Sequence, residues 1–417
     1  YVAPEGETEE ALSQIWQELL GVEQVGRFDD FFKLGGHSLK VTRLCSRIRK
    51  DLEIEVPLKK VFESPVLVDL AGFISTQASS GALEVIPVVD SSQPQPLSLF
   101  QSRLWLTEKL QDGASYNMPL MLKISGEITP SEIESILQKL LARHGSFRTR
   151  FVEEGEEVFQ LISDDISFSL PVVDLSEDDL LSTLQKDVTS SLDLAGGELF
   201  RVSLYKVSET EHVLSFVQHH IISDAWSIEI LAYEFYELFT SSRENRIANL
   251  EPLACQYIDY SVWQRNRLSD EALQQKLNFW SDRLKGIEPL DLAGSGKQSS
   301  KEVERTELSL SKDFTSSLYN FCQQQQLSLF MLMNASLNLL LWRYSGKKDI
   351  VYSVPATNRQ QPSLEKLVGF FVNTLVMRSQ VDETASLSDY LKTTKQSILE
   401  KFDNQDVAFE QILQEMQ

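Results

Sequence analysis

Two histidines stand side by side in Val217-Gln218-His219-His220-Ile221-Ile222-Ser223-Asp224-Ala225-Trp226-Ser227, with a carboxylate four residues after the second. An imidazole exchanges protons near neutral pH, so this pair suits general acid–base work. Asp224 could orient an imidazole or anchor the loop. The pair lacks further His or Cys at ligand spacing, so a metal site does not fit. A second chemical feature is Ser38, which follows Gly35-Gly36-His37. Paired glycines let the backbone turn tightly. A serine at a helix start would set an attached phosphodiester against unpaired N–H groups and the positive end of the helix dipole. Nothing nearby activates Ser38 as a nucleophile, and there is no G-x-S-x-G elbow. Taken alone, each residue also has a structural reading. Ser38 can cap a helix, and a lone His can be a satisfied interior residue.

The elements that must position these groups are legible in outline. Leu12, Ile15, Trp16, Leu19 and Leu20 form a one-faced helical stripe over residues 8–20, stopped by Gly21. A second helix is expected from Ser38, with Val41, Leu44, Ile48 and Leu52 inward. Pro65 suits the first position of a third helix carrying Leu67, Leu70, Phe73 and Ile74. Residues 1–76 therefore read as a small helical bundle. Residues 77–96 are rich in Ser, Gly, Pro and Gln and read as a linker, with a short extended patch at 85–89. Beyond it, helices are expected at 131–142, 228–240 and 328–344. Buried strands are expected at 213–217 and 350–354. An apolar strand thus runs into the histidine pair and a helix leaves it.

The net charge is −22, which argues against nucleic acid as a partner, because phosphate binding needs clustered Lys and Arg. Three scattered cysteines, Cys45, Cys255 and Cys322, fit buried thiols in a reducing compartment. No apolar run is long enough for a spanning helix, and no signal peptide opens the chain. A cytoplasmic chain with no membrane contact, monomeric in isolation, is expected. It starts at Tyr1 without Met, as a fragment of something longer would.

The stretch Asp29-Asp30-Phe31-Phe32-Lys33-Leu34-Gly35-Gly36-His37-Ser38-Leu39, within a four-helix pattern, resembles the peptidyl carrier domains of nonribosomal peptide synthetases. The resemblance implies that Ser38 carries 4′-phosphopantetheine, attached by a phosphopantetheinyl transferase. HHIISDAWS resembles the HHxxxDG signature of condensation domains, which share a fold with chloramphenicol acetyltransferase. Other blocks follow in the family's order. Ser98-Leu99-Phe100-Gln101-Ser102-Arg103-Leu104-Trp105 resembles S-x-A-Q-x-R-L-W. Arg143 through Thr149 resembles R-H-E-x-L-R-T, with Gly145 for Glu. Tyr257 through Trp263 resembles Y-x-D-F-x-x-W. Gly369 through Thr374 resembles G-x-F-V-N-T, and Asn404 through Glu410 resembles H-Q-D-V-P-F-E.

The resemblance implies roles residue by residue. His220 is the reaction centre, with His219 and Asp224 beside it in the signature. Asp224 pairs with Arg148, and Trp226 gives packing support. Ala225, Ser227 and Asn373 border the substrate channel. Ala225 replaces the signature Gly, and ordinary φ is expected there. The implied fold is an all-α four-helix carrier bundle (1–76), a linker (77–96) and an α/β condensation domain (97–417). That domain would have two acetyltransferase-like lobes in a V, an N-lobe of about 97–260 and a C-lobe of about 261–417 cut short at its end. The implied reaction is amide-bond formation. A peptidyl thioester on Ser38 passes to the amine of an aminoacyl group on a downstream carrier. An adenylation domain upstream is a further implied partner. An epimerization domain of the same fold, and a docking module without catalysis, are the alternative readings.

Overall fold

The computed structural model describes residues 1–416 apart from 37, 55, 78–84, 111–113, 156, 166–167, 195, 269, 289, 291, 293–306 and 360. The chain packs as two compact units. One holds residues 1–84, 275–356 and 374–417, and the other holds 85–274 and 357–373.

The first unit opens with four helices. Helix α1 (Glu7–Leu20) buries Leu12, Ile15 and Trp16, as its spacing requires, while Leu19 and Leu20 stay partly exposed. It ends at Gly21, whose φ of 71° lets its N–H close back on Gln17 O. Helix α2 (Ser38–Leu52) seals Val41, Leu44 and Ile48 completely. A six-residue helix α3 (Leu58–Glu63) follows Pro57, and its shortness left no periodic signal. Helix α4 (Leu67–Gln77) starts later than Pro65 suggests. The Pro65 carbonyl accepts the Phe31 N–H at 2.8 Å and Val66 bridges Asp30, so this stretch is extended. Trp16 and Phe31 meet edge to face, 5.0 Å apart, at the centre of the bundle.

The second unit is built on a sheet. In chain order it contains β1 (Gln95–Pro96), α5 (Leu99–Leu110), β2 (Asn117–Ser125), α6 (Pro130–Arg143), β3 (Thr149–Glu154), β4 (Glu157–Ile162), β5 (Val172–Asp174), α7 (Glu177–Thr189), β6 (Phe200–Lys206), β7 (Glu211–His219), α8 (Ala225–Arg243) and α9 (Tyr257–Arg267). The sheet runs β2-β7-β6-β5, antiparallel except for the β5–β6 pair. Strand β7 lies between two neighbours and is buried from His212 to His219, which explains why Val213, Leu214, Phe216 and Val217 on both of its faces are apolar. Its Leu214 and Phe216 share a core with Leu204 of β6, Ile136 and Leu140 of α6, and Leu231 and Phe235 of α8.

The latter part of the segment read as a linker is fastened to this unit. Ile86 is buried, the Val89 N–H donates to Asp259 Oδ1 at 2.8 Å, and Gln95 and Pro96 pair with β4. Residues 85–89 form no strand.

The rest of the first unit comprises α11 (Lys312–Gln324), α12 (Leu329–Ser345), α13 (Leu387–Phe402) and α14 (Phe409–Glu415), with the greater part of α10 (Asp270–Leu284), β8 (Asp349–Thr357) and β9 (Val372–Gln380). Strand β8 pairs with β9. Within 350–354 only Ile350 is buried, so this is a half-covered strand rather than the buried one expected. The Gln323 amide of α11 donates to the Phe32 carbonyl, and Lys395 of α13 lies 5.5 Å from the Phe62 ring. Among the described residues no helix is long and apolar enough to cross a membrane.

Candidate active site

Strand β7 ends at His219, and a 3-10 turn, His220–Ile222, carries the chain to α8. The turn is pinned from several sides. The His220 N–H donates to Tyr116 O at 2.8 Å, and the Gln101 amide of α5 donates to Ile221 O at 3.1 Å. The S-x-A-Q block thereby holds the histidine turn in place.

The His220 side chain is half-buried, with Nδ1 2.6 Å from Ser223 O. A carbonyl only accepts, so Nδ1 carries a proton, and it is Nε2 that is left to exchange one. The Phe370 ring packs against the imidazole at 4.9 Å. His219 is different. It is 1% exposed, and its Nδ1 accepts the Ile221 N–H at 3.1 Å. Burial, with the His220 imidazole beside it as a lesser cause, pushes its pKa down to about 4, so His219 is neutral at neutral pH. Its Nε2 faces Glu108 at 3.6 Å, too long for a hydrogen bond.

Asp224 caps α8 by accepting the Ser227 N–H at 2.7 Å, and its Oδ1 also accepts the Ser227 hydroxyl at 2.7 Å. Its other oxygen takes the Phe371 N–H at 3.2 Å. The charge partner is Arg359, with Nη2 2.9 Å from Asp224 Oδ1. Arg359 Nη1 donates to Leu364 O and Leu367 O, both at 2.6 Å, and its guanidinium stacks 4.0 Å from the Phe371 ring. Burial lowers the pKa of Arg359, and the Asp224 carboxylate opposes that shift.

The expected pairing of Asp224 with Arg148 is therefore corrected. Arg148 spends its guanidinium on three carbonyls, Leu141 O at 3.0 Å, Ser163 O at 2.6 Å and Ala142 O at 3.2 Å, tying the end of α6 to the residue just after β4. Arg359 escaped sequence reasoning because it lies 135 residues from Asp224 and in none of the blocks. Ser227 is also corrected as a channel residue. It is fully buried, and its hydroxyl bonds Asp224, Arg359 and Gly369. Ala225 opens α8 with ordinary φ, as expected, and is exposed. Trp226 is half-exposed, and its Nε1 donates to Glu365 O at 3.0 Å. Asn373 is buried near the start of β9.

The loop 369–371 closes the site. Ser227 Oγ binds both the N–H and the carbonyl of Gly369, and the Tyr257 hydroxyl donates to Phe370 O at 2.6 Å. Burial holds the Tyr257 phenol well above its ordinary pKa, so it remains a donor. A Cβ on Gly369 would lie 2.0 Å from the Tyr257 ring, so only glycine fits there. Among the described residues no group of His, Cys, Asp and Glu could hold a metal ion.

Ser38 stands at the other chemical feature, as the first residue of α2. Gly35 ahead of it has φ 97°, and a Cβ on Gly36 would meet the Phe31 ring at 2.3 Å. Both glycines are therefore needed for the chain to turn into the helix at Ser38. A serine opening a 15-residue helix after such a turn fits a covalently attached phosphodiester. His37 lies outside the described residues.

Known proteins match both parts of the chain. Residues 10–74 match the phosphopantetheine attachment site family, and residues 91–417 match the condensation domain family. All of the chain aligns with a linear gramicidin synthase polypeptide of Brevibacillus parabrevis, 34% identical over 432 residues and 8% of that protein. All of it also aligns with tyrocidine synthase 3 of the same organism, at 33% identity over 422 residues and 6% of that protein. Thus the chain spans a small part of these relatives. Two solved structures share the fold. The X-domain in complex with OxyB from teicoplanin biosynthesis has a TM-score of 0.71 at 24% identity, covering 81% of this chain and 76% of that one. The first condensation domain of the calcium-dependent antibiotic synthetase has 0.67 at 20% identity, covering 78% of each. A phosphopantetheine attachment domain followed by a condensation domain, matched from end to end by peptide synthetases, places this chain in the condensation-domain family of the nonribosomal peptide synthetases.

Proposed function

We propose that this chain joins an acyl or peptidyl group, held at Ser38, to the amine of an aminoacyl group on a downstream carrier. The observation that carries the reading is the hydrogen bond that occupies His220 Nδ1. Its Nδ1 is committed to Ser223 O at 2.6 Å, and Nε2 is left as a base. The 4′-phosphopantetheine group supplies a terminal thiol that presents the donor carbonyl as a thioester. His220 Nε2 would accept a hydrogen bond from the attacking amine and take its proton as the C–N bond forms, then give that proton to the sulfur released when the C–S bond breaks, so that a thiol leaves and the imidazole returns to its starting state. Asp224 and Arg359 hold the turn that aims this nitrogen, and His219 serves the turn rather than the reaction. Residues 1–76 form the carrier, 77–96 the connection and 97–417 the condensation domain. A phosphopantetheinyl transferase and an upstream adenylation domain are the partners this scheme requires, and the cytoplasm is its setting.

The test loads Ser38 with a peptidyl-phosphopantetheine, adds an aminoacyl carrier and follows transfer by mass. His220→Ala should lower the rate by ~10²–10⁴-fold, the usual worth of a general base. Unimpaired transfer would refute the assignment. Ser38→Ala should gain no phosphopantetheine from coenzyme A and a transferase. Isomerised donor without transfer would instead support an epimerization domain.

A further inference from the structure

We propose that Phe370 is a positioning and specificity residue. Its ring fixes the His220 imidazole and forms the wall that limits the acceptor side chain beside Nε2. This inference rests on the transfer reaction proposed above.

The two ring centroids are 4.9 Å apart with planes at 68°, an edge-to-face contact. Such packing resists rotation of the imidazole, and the Nδ1 bond to Ser223 O removes the freedom that remains. Nε2 therefore points one way. Phe370 is half-exposed, whereas Gly369 and Phe371 on either side of it are buried. The ring packs on the two apolar clusters of the unit and also touches the His220 imidazole.

The wall is rigid as well as close. Three consecutive residues are tied by their backbones. Gly369 is bonded to Ser227 Oγ at 3.1 and 3.0 Å, Phe370 O to the Tyr257 hydroxyl at 2.6 Å, and Phe371 N to Asp224 at 3.2 Å. The Tyr257 hydroxyl is itself held by Ser98 Oγ at 2.8 Å. A ring on such a backbone does not withdraw to admit a larger group, which is the condition for selecting by size. The attacking α-amine must come to Nε2, and its carbon bears the acceptor side chain. A wall at His220 therefore meets that side chain first. The position is the one the G-x-F-V-N-T block leaves open, so its size can differ without disturbing the residues that hold the loop.

The test uses the full chain with its carrier loaded and downstream carriers charged with glycyl, leucyl or phenylalanyl groups. Phe370→Ala should lower kcat for the glycyl acceptor by ~10-fold or more, because a small misplacement of a catalytic group is costly. It should also raise the phenylalanyl-to-glycyl ratio of kcat/KM by ~10-fold, the scale of a size-selective pocket. Phe370→Leu, which keeps most of the bulk, should lie between. Equal losses for all three acceptors, with the ratio unchanged, would overturn the proposal. A parent chain that forms no amide with any acceptor counts against the transfer reading itself. A measurement without turnover then decides. Diethyl pyrocarbonate should acylate His220 faster in Phe370→Ala than in the parent, read by peptide mass, and equal rates in a folded variant would overturn the wall.

Discussion

Asp224 and Arg359 form an ion pair 2.9 Å long in which each side chain is only 1% exposed. The carboxylate caps α8 and the guanidinium gathers two carbonyls, so the pair joins the histidine turn to the segment from Arg359 to Phe371. A buried pair of this kind adds little over an apolar contact, but removing one partner strands the other charge.

Arg359→Ala should therefore destabilise the chain by about 3–5 kcal/mol, as a lower urea midpoint. Arg359→Lys should recover only part, since an ammonium cannot fork to Asp224 and both carbonyls. Arg148→Ala should cost less and leave the Asp224 contacts in place. An Arg148 variant as damaging as the Arg359 one would contradict this geometry.

His219 gives the fold a pH dependence. Its folded pKa of about 4 lies below the ordinary 6.5, so the unfolded chain binds a proton that the native chain does not. The stabilisation is complete above pH ~6.5 and is lost as pH falls toward 4, amounting to about 3 kcal/mol over that window. His219→Gln, whose amide oxygen can still accept the Ile221 N–H, should remove this slope. Urea midpoints measured from pH 7.5 to 4.5 on both proteins check it, and parallel curves would refute it.

Gly36 ties the carrier turn to its core. Gly36→Ala places a methyl 2.3 Å from the Phe31 ring and 2.5 Å from its carbonyl oxygen, and backbone cannot yield as a side-chain tip can. The expected cost is about 1–3 kcal/mol. Phosphopantetheine loading at Ser38 should slow with it, since the same turn starts α2. Loading at the parental rate with unchanged thermal stability would show that the turn tolerates the methyl.

What the sequence revealed follows from where each signal resides. Leu12, Ile15 and Trp16 announce α1 because a buried helix face repeats locally. The apolar run of β7 and the histidine pair were legible together, because strand and turn are adjacent in the chain. Helix α3 was missed, since six residues carry less than two turns of pattern. Pro65 misled because its carbonyl is claimed by Phe31, a contact across 34 positions that no local rule contains. Arg359 is the larger omission. Nothing around Asn358 and Arg359 marks a buried cation, and its partner is fixed only by tertiary folding. The motif block pointed to Arg148, whose guanidinium is instead spent on two carbonyls that end α6 and on Ser163 O.

The Asp224–Ser227 knot also has a kinetic consequence. The N–H groups of Ser227, Gly369 and Phe371 come from segments 142 positions apart, yet all three donate to oxygens of that one carboxylate–hydroxyl pair. None can meet solvent until the pair lets go. In deuterium these three amides should exchange together, in one cooperative opening, and more slowly than their neighbours in the chain. The histidine turn would then come apart as a unit, and whatever loosens one strand of the knot should set the exchange rate of the other two.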